Sequence, residues 1–281
     1  MNDDYIALIY EGDKTEEILV KNIKKNFFNE NVQIKVVSFP AGENIYMLYK
    51  QLESDSFQTD LIEVIREYNP IAAEELGDAS RDSFSQIFLF FDYDGHNNNL
   101  SKKNDPTGSS IIEDMLNTFN NETDLGKLYI NYPMVESLRD NISEDICNRR
   151  CSISIDDIGQ YKNLVSSILD FQDFRKLTID DWKILCFRSV CKANCIVTGQ
   201  YMIPEFHEYR KRISQLDIFK NQLNKFVEPL NHIGVINGFP LFVIEYFKID
   251  FWIFMLDDMK QVNNNSELNN YPMCASMCAD K

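Results

Sequence analysis

The sequence predicts an α/β fold, with a mostly parallel sheet flanked by helices and then a mainly helical C-terminal region. Three observations carry this. Short apolar runs alternate with amphipathic stretches over the first 140 residues. The runs are continuous, as in strands buried on both faces. Beyond residue 141 the spacing is mostly helical and convincing strands are scarce. A chain of 281 residues suits one or two domains, and its 20 Phe and 13 Tyr supply a core, which excludes intrinsic disorder.

Tyr5–Tyr10 is the first apolar run and predicts a buried strand. Residues 14–28 follow as a helix, with Ile18, Leu19, Ile23 and Phe27 at helical spacing. A second strand is expected over 32–38, then helices at about 43–55 and 57–69. Ile87–Phe91 predicts a third buried strand, ending in Asp92-Tyr93-Asp94-Gly95. A polar loop from His96 to Ser109, a helix at about 110–119 and a strand over 127–131 complete the alternation, which implies parallel pairing. Helical periodicity then returns over 155–172, 179–193 and 205–226, and 239–257 is a packed hydrophobic segment. The expected organisation is a domain over 1–140, a helical domain over 141–260 and an Asn-rich mobile tail over 261–281.

The Met1–Asp4 start is acidic and lacks the basic and apolar regions of a signal peptide. Glu245, Lys248 and Asp250 interrupt the apolar stretch Pro240–Leu256, so it reads as core rather than a membrane span. Seven cysteines, an odd number, suggest reduced thiols, and the expected location is cytoplasmic with no membrane association. Three cysteine pairs (147/151, 191/195 and 274/278) have i,i+4 spacing, but no His lies near them, so small buried hydrophobes and exposed thiols are the expectation.

The net charge of −16 argues, as a total, against binding to a phosphate backbone. Its distribution changes that. Residues 1–140 hold 26 acidic and 12 basic side chains, whereas residues 141–235 hold 12 and 13. Basic clusters in the second region, Arg149-Arg150, Arg175-Lys176 and Arg210-Lys211-Arg212, are candidates for nucleic-acid binding if they share a face, and otherwise solvated helix surface.

Carboxylates stand directly after three expected strands. Glu11 follows the first, with Glu16 five residues on; Asp92 and Asp94 follow the third; Glu136 lies just beyond the fourth. Ligand sites in parallel sheets form at this carboxyl edge. Acids gathered there need a cation or a retained proton. Oxygen donors without His or Cys point to Mg²⁺ or Mn²⁺, whose usual work is phosphoryl chemistry. Gly12 would permit a sharp turn after Glu11, and Thr15 with Glu16 and Glu17 would suit a capped helix start. Each acid also has an ordinary reading, as a helix-entry acid or a polar turn.

Glu11-Gly12-x-x-Thr15-Glu16 after one strand and Phe90-Phe91-Asp92-x-Asp94 after another resemble the TOPRIM domain of topoisomerases, bacterial primases and OLD-family nucleases. With Tyr132-Pro-Met-Val-Glu-Ser137, the chain most resembles the TOPRIM subunit of PARIS-type anti-phage defence systems and the RloB-like proteins. The motifs span roughly residues 5–140. The resemblance implies that Glu11 binds metal or acts as general acid or base, that Asp92 and Asp94 bind metal, that Glu16 serves a second ion, and that Glu136 is the downstream acid of the metal site. One or two Mg²⁺ or Mn²⁺ ions would then support phosphodiester cleavage by an endonuclease. It also implies a lysine near the scissile phosphate, for which Lys14, Lys102 and Lys103 are candidates.

The resemblance further implies a bacterial antiviral effector that a separate ABC-type ATPase holds inactive until phage infection. The chain has no Walker A sequence of its own. On that reading the substrate is host RNA, tRNA in particular, and the active form is expected as a homodimer. The alternatives are an OLD-like DNA nuclease, a non-catalytic subunit of an ATPase complex, and a phosphatase or nucleotide hydrolase on a similar sheet.

Overall fold

A computed structural model describes residues 5–12, 14–39, 45–93, 109–140, 152–168 and 171–263. The chain divides into two units. Met1–Asp92, Asn97–Ile130 and Phe174–Lys176 make the first, and Tyr93–His96, Asn131–Asp173 and Leu177–Lys281 the second.

The first unit is α/β. Its five strands are β1 (Tyr5–Glu11), β2 (Ile34–Phe39), β3 (Phe84–Asp92), β4 (Asn120–Asn121) and β5 (Gly126–Asn131), in the order β2-β1-β3-β5-β4. β1 pairs in parallel with both β2 and β3, as its apolar run requires: Ala7, Leu8 and Ile9 are all at most 1% exposed. The helices are α1 (Thr15–Phe27), α2 (Ile45–Ser54), α3 (Leu61–Tyr68), α4 (Pro70–Leu76) and α5 (Ser109–Thr118). α1 buries Leu19, Val20 and Ile23 and presents Lys21, Lys24 and Lys25 to solvent.

Two elements here differ from expectation. Pro70 ends the expected helix over 57–69 and also opens α4. Asn69 caps that helix, its Oδ1 accepting from Ile71 N and Ala72 N at 3.0 Å each. β4 is a two-residue strand antiparallel to β5, too short to show a period.

The second unit is mainly helical, as expected, but it also contains a two-stranded antiparallel sheet of β6 (Ser152–Ser154) and β7 (His232–Gly234). Its longer helices are α6 (Ile158–Ser166), α7 (Ile179–Thr198), α8 (Phe206–Arg212), α9 (Gln215–Gln222) and α10 (Gly238–Asn263). A Thr178–Asp181 capping box starts α7, and Gly199, at φ 82°, ends it. The expected single helix over 205–226 is broken at Ile213, because Ser214 and Asp217 form a second capping box that starts α9. α7 packs against α10; Trp182, Cys186, Phe239 and Phe242 of these helices are buried, and Cys186 Sγ donates to the Pro240 carbonyl at 3.5 Å.

α10 is not the uniformly buried segment expected over 239–257. It breaks at Lys248, whose φ of 56° and ψ of −140° are not helical. Every residue of 239–244 is buried, whereas Ile249, Ile253 and Phe254 are exposed. No helix among the described residues is long and apolar enough to cross a membrane. Of the paired cysteines, Cys191 is buried and Cys195 half-buried; pairs 147/151 and 274/278 lie outside the described residues.

Candidate functional site

The chain leaves β1 through α1 to reach β2 on one side, while β3 lies on the other. The crevice between the carboxyl ends of β1 and β3 is therefore a topological switch point, where open α/β sheets bind ligands. Glu11 is the last residue of β1 and Asp92 the last of β3. Tyr10 pairs with Phe90, so Asp92 lies one residue farther along than Glu11 on the neighbouring strand. Ideal strand spacing puts their Cα atoms about 6 Å apart. Strict pleat alternation would send the two side chains to opposite faces, so a shared ligand must be met over the end of the sheet, where pairing stops.

Glu16 comes to the same edge by a different route. It occupies the first turn of α1, is 7% exposed, and folds back on the turn after β1. Gly12 has a φ of +110°, which side-chain-bearing residues rarely adopt. A Cβ there would lie 2.5 Å from Glu16 Oε2 and 2.7 Å from Oε1. Glycine at position 12 thus serves both the turn and the approach of a buried carboxylate. The expected capped start of α1 is not formed by Thr15: the cap position is Lys14, which has no acceptor and makes no side-chain cap bond. Glu16 and Glu17 still complement the helix dipole. Of the candidate lysines, Lys14 thus sits at the start of α1, and Lys102 and Lys103 lie outside the described residues.

Glu11, Glu16 and Asp92 therefore all belong to the carboxyl edge of the first unit. Asp94 lies outside the described residues. Among the described residues, no group of three or more His, Cys, Asp or Glu side chains is placed to hold a metal ion. The donor chemistry nevertheless suits a hard cation: oxygen ligands only, one of them buried against a glycine turn.

Glu136 belongs to the second unit, in a 3-10 turn over Val135–Leu138. It is 3% exposed, and Lys162 Nζ of α6 lies 2.8 Å from its Oε1. Sequence reasoning did not single out Lys162, which is 26 positions away with no local signal. Four residues on, Asp140 is also buried; its Oδ2 accepts from Tyr161 Oη at 2.9 Å, and its carbonyl accepts from Lys192 Nζ at 3.0 Å.

The basic clusters are divided between the units. Arg175 and Lys176 lie in a turn of the first, where the Arg175 carbonyl accepts from Asn22 Nδ2 at 3.3 Å. Arg210, Lys211 and Arg212 form the exposed last turn of α8 in the second. Basic residues are favourable at that helix end for dipole reasons alone, and Arg212 Nε is 2.7 Å from Glu208 Oε2. Arg149 and Arg150 lie outside the described residues.

No family model matches this chain, and neither a curated protein nor a solved structure does.

Proposed function

We propose that the chain is a Mg²⁺- or Mn²⁺-dependent endonuclease whose site lies at the carboxyl edge of the first unit. The observation that carries this is the placement of Glu11 and Asp92 on either side of the β1/β3 switch point. Glu16, folded against Gly12 beside them, supports it. Glu11, Glu16 and Asp92 would hold the ion, with Asp94 joining them on sequence grounds and Glu136 on the family resemblance alone. A bound ion supplies charge neutralisation at a phosphoryl oxygen and a more acidic water. Glu11, half-buried at the strand end, takes or returns the proton of the attacking water. Asp92 would hold the ion from the other side of the switch point, and the Gly12 turn leaves room for the Glu16 carboxylate beside it.

The resemblance to PARIS-type effectors supports host RNA as substrate, tRNA in particular, and a separate ABC-type ATPase as the restraining partner in bacterial antiviral defence. The OLD-like version would cut DNA. The test is purified protein with Mg²⁺ or Mn²⁺, plasmid and total tRNA. Cleavage should need the metal and fall at least about 100-fold in Glu11→Ala and in Asp92→Ala, a usual scale for losing such groups. Cleavage unchanged by both substitutions refutes the site.

One observation favours a second reading, a non-catalytic subunit that docks a basic partner: residues 1–140 hold 26 acidic against 12 basic side chains. Growth on expression separates the two readings. An active nuclease should harm its host and Glu11→Ala should not, whereas a docking subunit would be harmless in both forms.

A further inference from the structure

The first unit is strongly acidic, yet one of its cavities is basic. At the amino-terminal end of β1 and β2, beside the last turns of α1, lies a cavity of about 580 Å³. Lys21, Lys24, Lys25 and Lys35 line it, against Glu30 and Glu75. These are four of the 12 basic residues that the first 140 positions contain, gathered at one place. Three follow from helix geometry, since Lys24 and Lys25 lie three and four residues after Lys21 on the solvent face of α1. The fourth comes from β2. Lys35 Nζ donates to the Glu75 carbonyl at 2.8 Å and lies 4.9 Å from the centre of the Tyr5 ring. Tyr5 and Phe28 add aromatic surface to the lining.

We propose that this basic end of the α1/β2 groove binds single-stranded nucleic acid through its backbone phosphates. A groove that combines cationic side chains with aromatic surface is the common solution for single strands, in which bases pack on rings and phosphates meet lysines. The other polymer that could use an edge strand is a peptide added to β2. Two features disfavour it. The Ser38 carbonyl already accepts from Asn69 Nδ2 at 2.7 Å, and the Ile34 carbonyl from Lys24 Nζ at 3.4 Å. A peptide would have to displace both to form a ladder.

The groove also has a direction. A neighbouring cavity of about 620 Å³ shares Lys21, Lys24, Ile34 and Glu75 with the first and extends to Tyr10 and Ser38. Tyr10 immediately precedes Glu11. The two cavities thus lead along one side of α1 from the lysines toward the proposed site. The inference deepens the nuclease reading and rests on it for the identity of the polymer.

The experiment is fluorescence anisotropy of labelled 20-nucleotide RNA and DNA single strands, with EDTA present so that no cleavage intervenes. The full chain is compared with the Lys21→Gln/Lys24→Gln/Lys25→Gln triple variant and, separately, with Lys35→Gln. For single strands the salt slope is about 0.7 per phosphate contact, so loss of three contacts should flatten it by about 2. The triple variant should bind at least tenfold more weakly at low salt, with circular dichroism unchanged because the three side chains are exposed. Lys35→Gln should reduce binding less.

Equal affinity and slope in the triple variant overturn the proposal. So does failure of the unsubstituted chain to bind either strand, or loss of binding to a polyglutamate peptide while RNA binding is untouched. Metal-free binding without cleavage under any metal would sink the nuclease reading and leave the groove standing.

Discussion

Alanine at position 12 separates the cost of a turn from the cost of displacing a carboxylate. Gly12 has a φ of +110°, and a Cβ there would meet Glu16 at 2.5 to 2.7 Å. Gly199 is the internal reference: its φ is +82°, and an added Cβ would meet nothing within 4 Å. Gly199→Ala should cost only conformational strain, about 1 kcal/mol. Gly12→Ala should cost about 2–3 kcal/mol, because the buried Glu16 must also swing away from the turn. For a chain of this size that is a fall in Tm of roughly 4–12 °C. The double variant Gly12→Ala/Glu16→Ala removes the atoms that would collide, so the two changes should be less than additive by about 1 kcal/mol. Thermal melts of five proteins (the unsubstituted chain, Gly12→Ala, Glu16→Ala, the double variant and Gly199→Ala) with and without Mg²⁺ decide it. The metal should raise the Tm of the unsubstituted chain and do so less in Gly12→Ala. If Gly12→Ala costs no more than Gly199→Ala and the two substitutions simply add, Glu16 does not rest against the turn, and its place in the site is lost.

Two other expectations concern stability. Lys248 breaks α10 at φ 56° and ψ −140°, a combination essentially reserved for glycine, so Lys248→Gly should raise stability by about 1 kcal/mol in urea unfolding and Lys248→Val should lower it. Burial pushes the Cys186 thiol and the Tyr132 and Tyr209 phenols well above their ordinary values of 9.0, 10.0 and 10.0. For these groups the unfolded chain loses its protons first, so their share of stability is intact below pH 9 and falls as pH rises through those ordinary values. Tm should therefore decline between pH 9 and 11, and native Cys186 should resist thiol reagents at pH 8 while the half-buried Cys195 reacts.

What was legible in the sequence follows from where packing repeats a period. Tyr5–Tyr10 and Ile87–Phe91 were readable because a strand buried on both faces must be apolar at every position, and the structure extends them to Glu11 and back to Phe84. The parallel sheet followed from their alternation with helices. α4 was hidden because Pro70 signals a stop as strongly as a start, and only the Asn69 cap resolves which. The break before α9 was present in the sequence as Ser214-x-x-Asp217, but the apolar period running across it outweighed the signal. β6 and β7 were beyond reach: three residues each, paired across some 80 positions, they exist because of tertiary register. The site divides in the same way. Glu11 and Asp92 were visible because each ends a buried strand, whereas the Glu136–Lys162 pair depends on how α6 packs and has no local mark.

The net charge of −16 gains a different meaning once it has a position along the groove. Lysines dominate at the amino-terminal end of β1 and β2. Farther along, the second cavity is lined by Glu17, Glu74 and Glu75 beside Lys21 and Lys24, and beyond Tyr10 stand Glu11 and Glu16. Lys21 is itself drawn toward the acidic side, its Nζ 2.5 Å from Glu17 Oε1. A polyanion entering such a gradient is attracted at one end and repelled at the other. On the proposed reading, only a divalent ion among the carboxylates can reverse the sign at the far end, because carboxylates alone repel phosphate. Single strands would then bind weakly through the lysines without metal and extend to the carboxylate edge only with it. Metal dependence would thus arise at the stage of substrate seating as well as in the chemistry, and a second anisotropy titration, with Mg²⁺ in place of EDTA and a cleavage-resistant strand, would show it as a metal-induced gain in affinity that Glu11→Ala abolishes and the lysine variants do not.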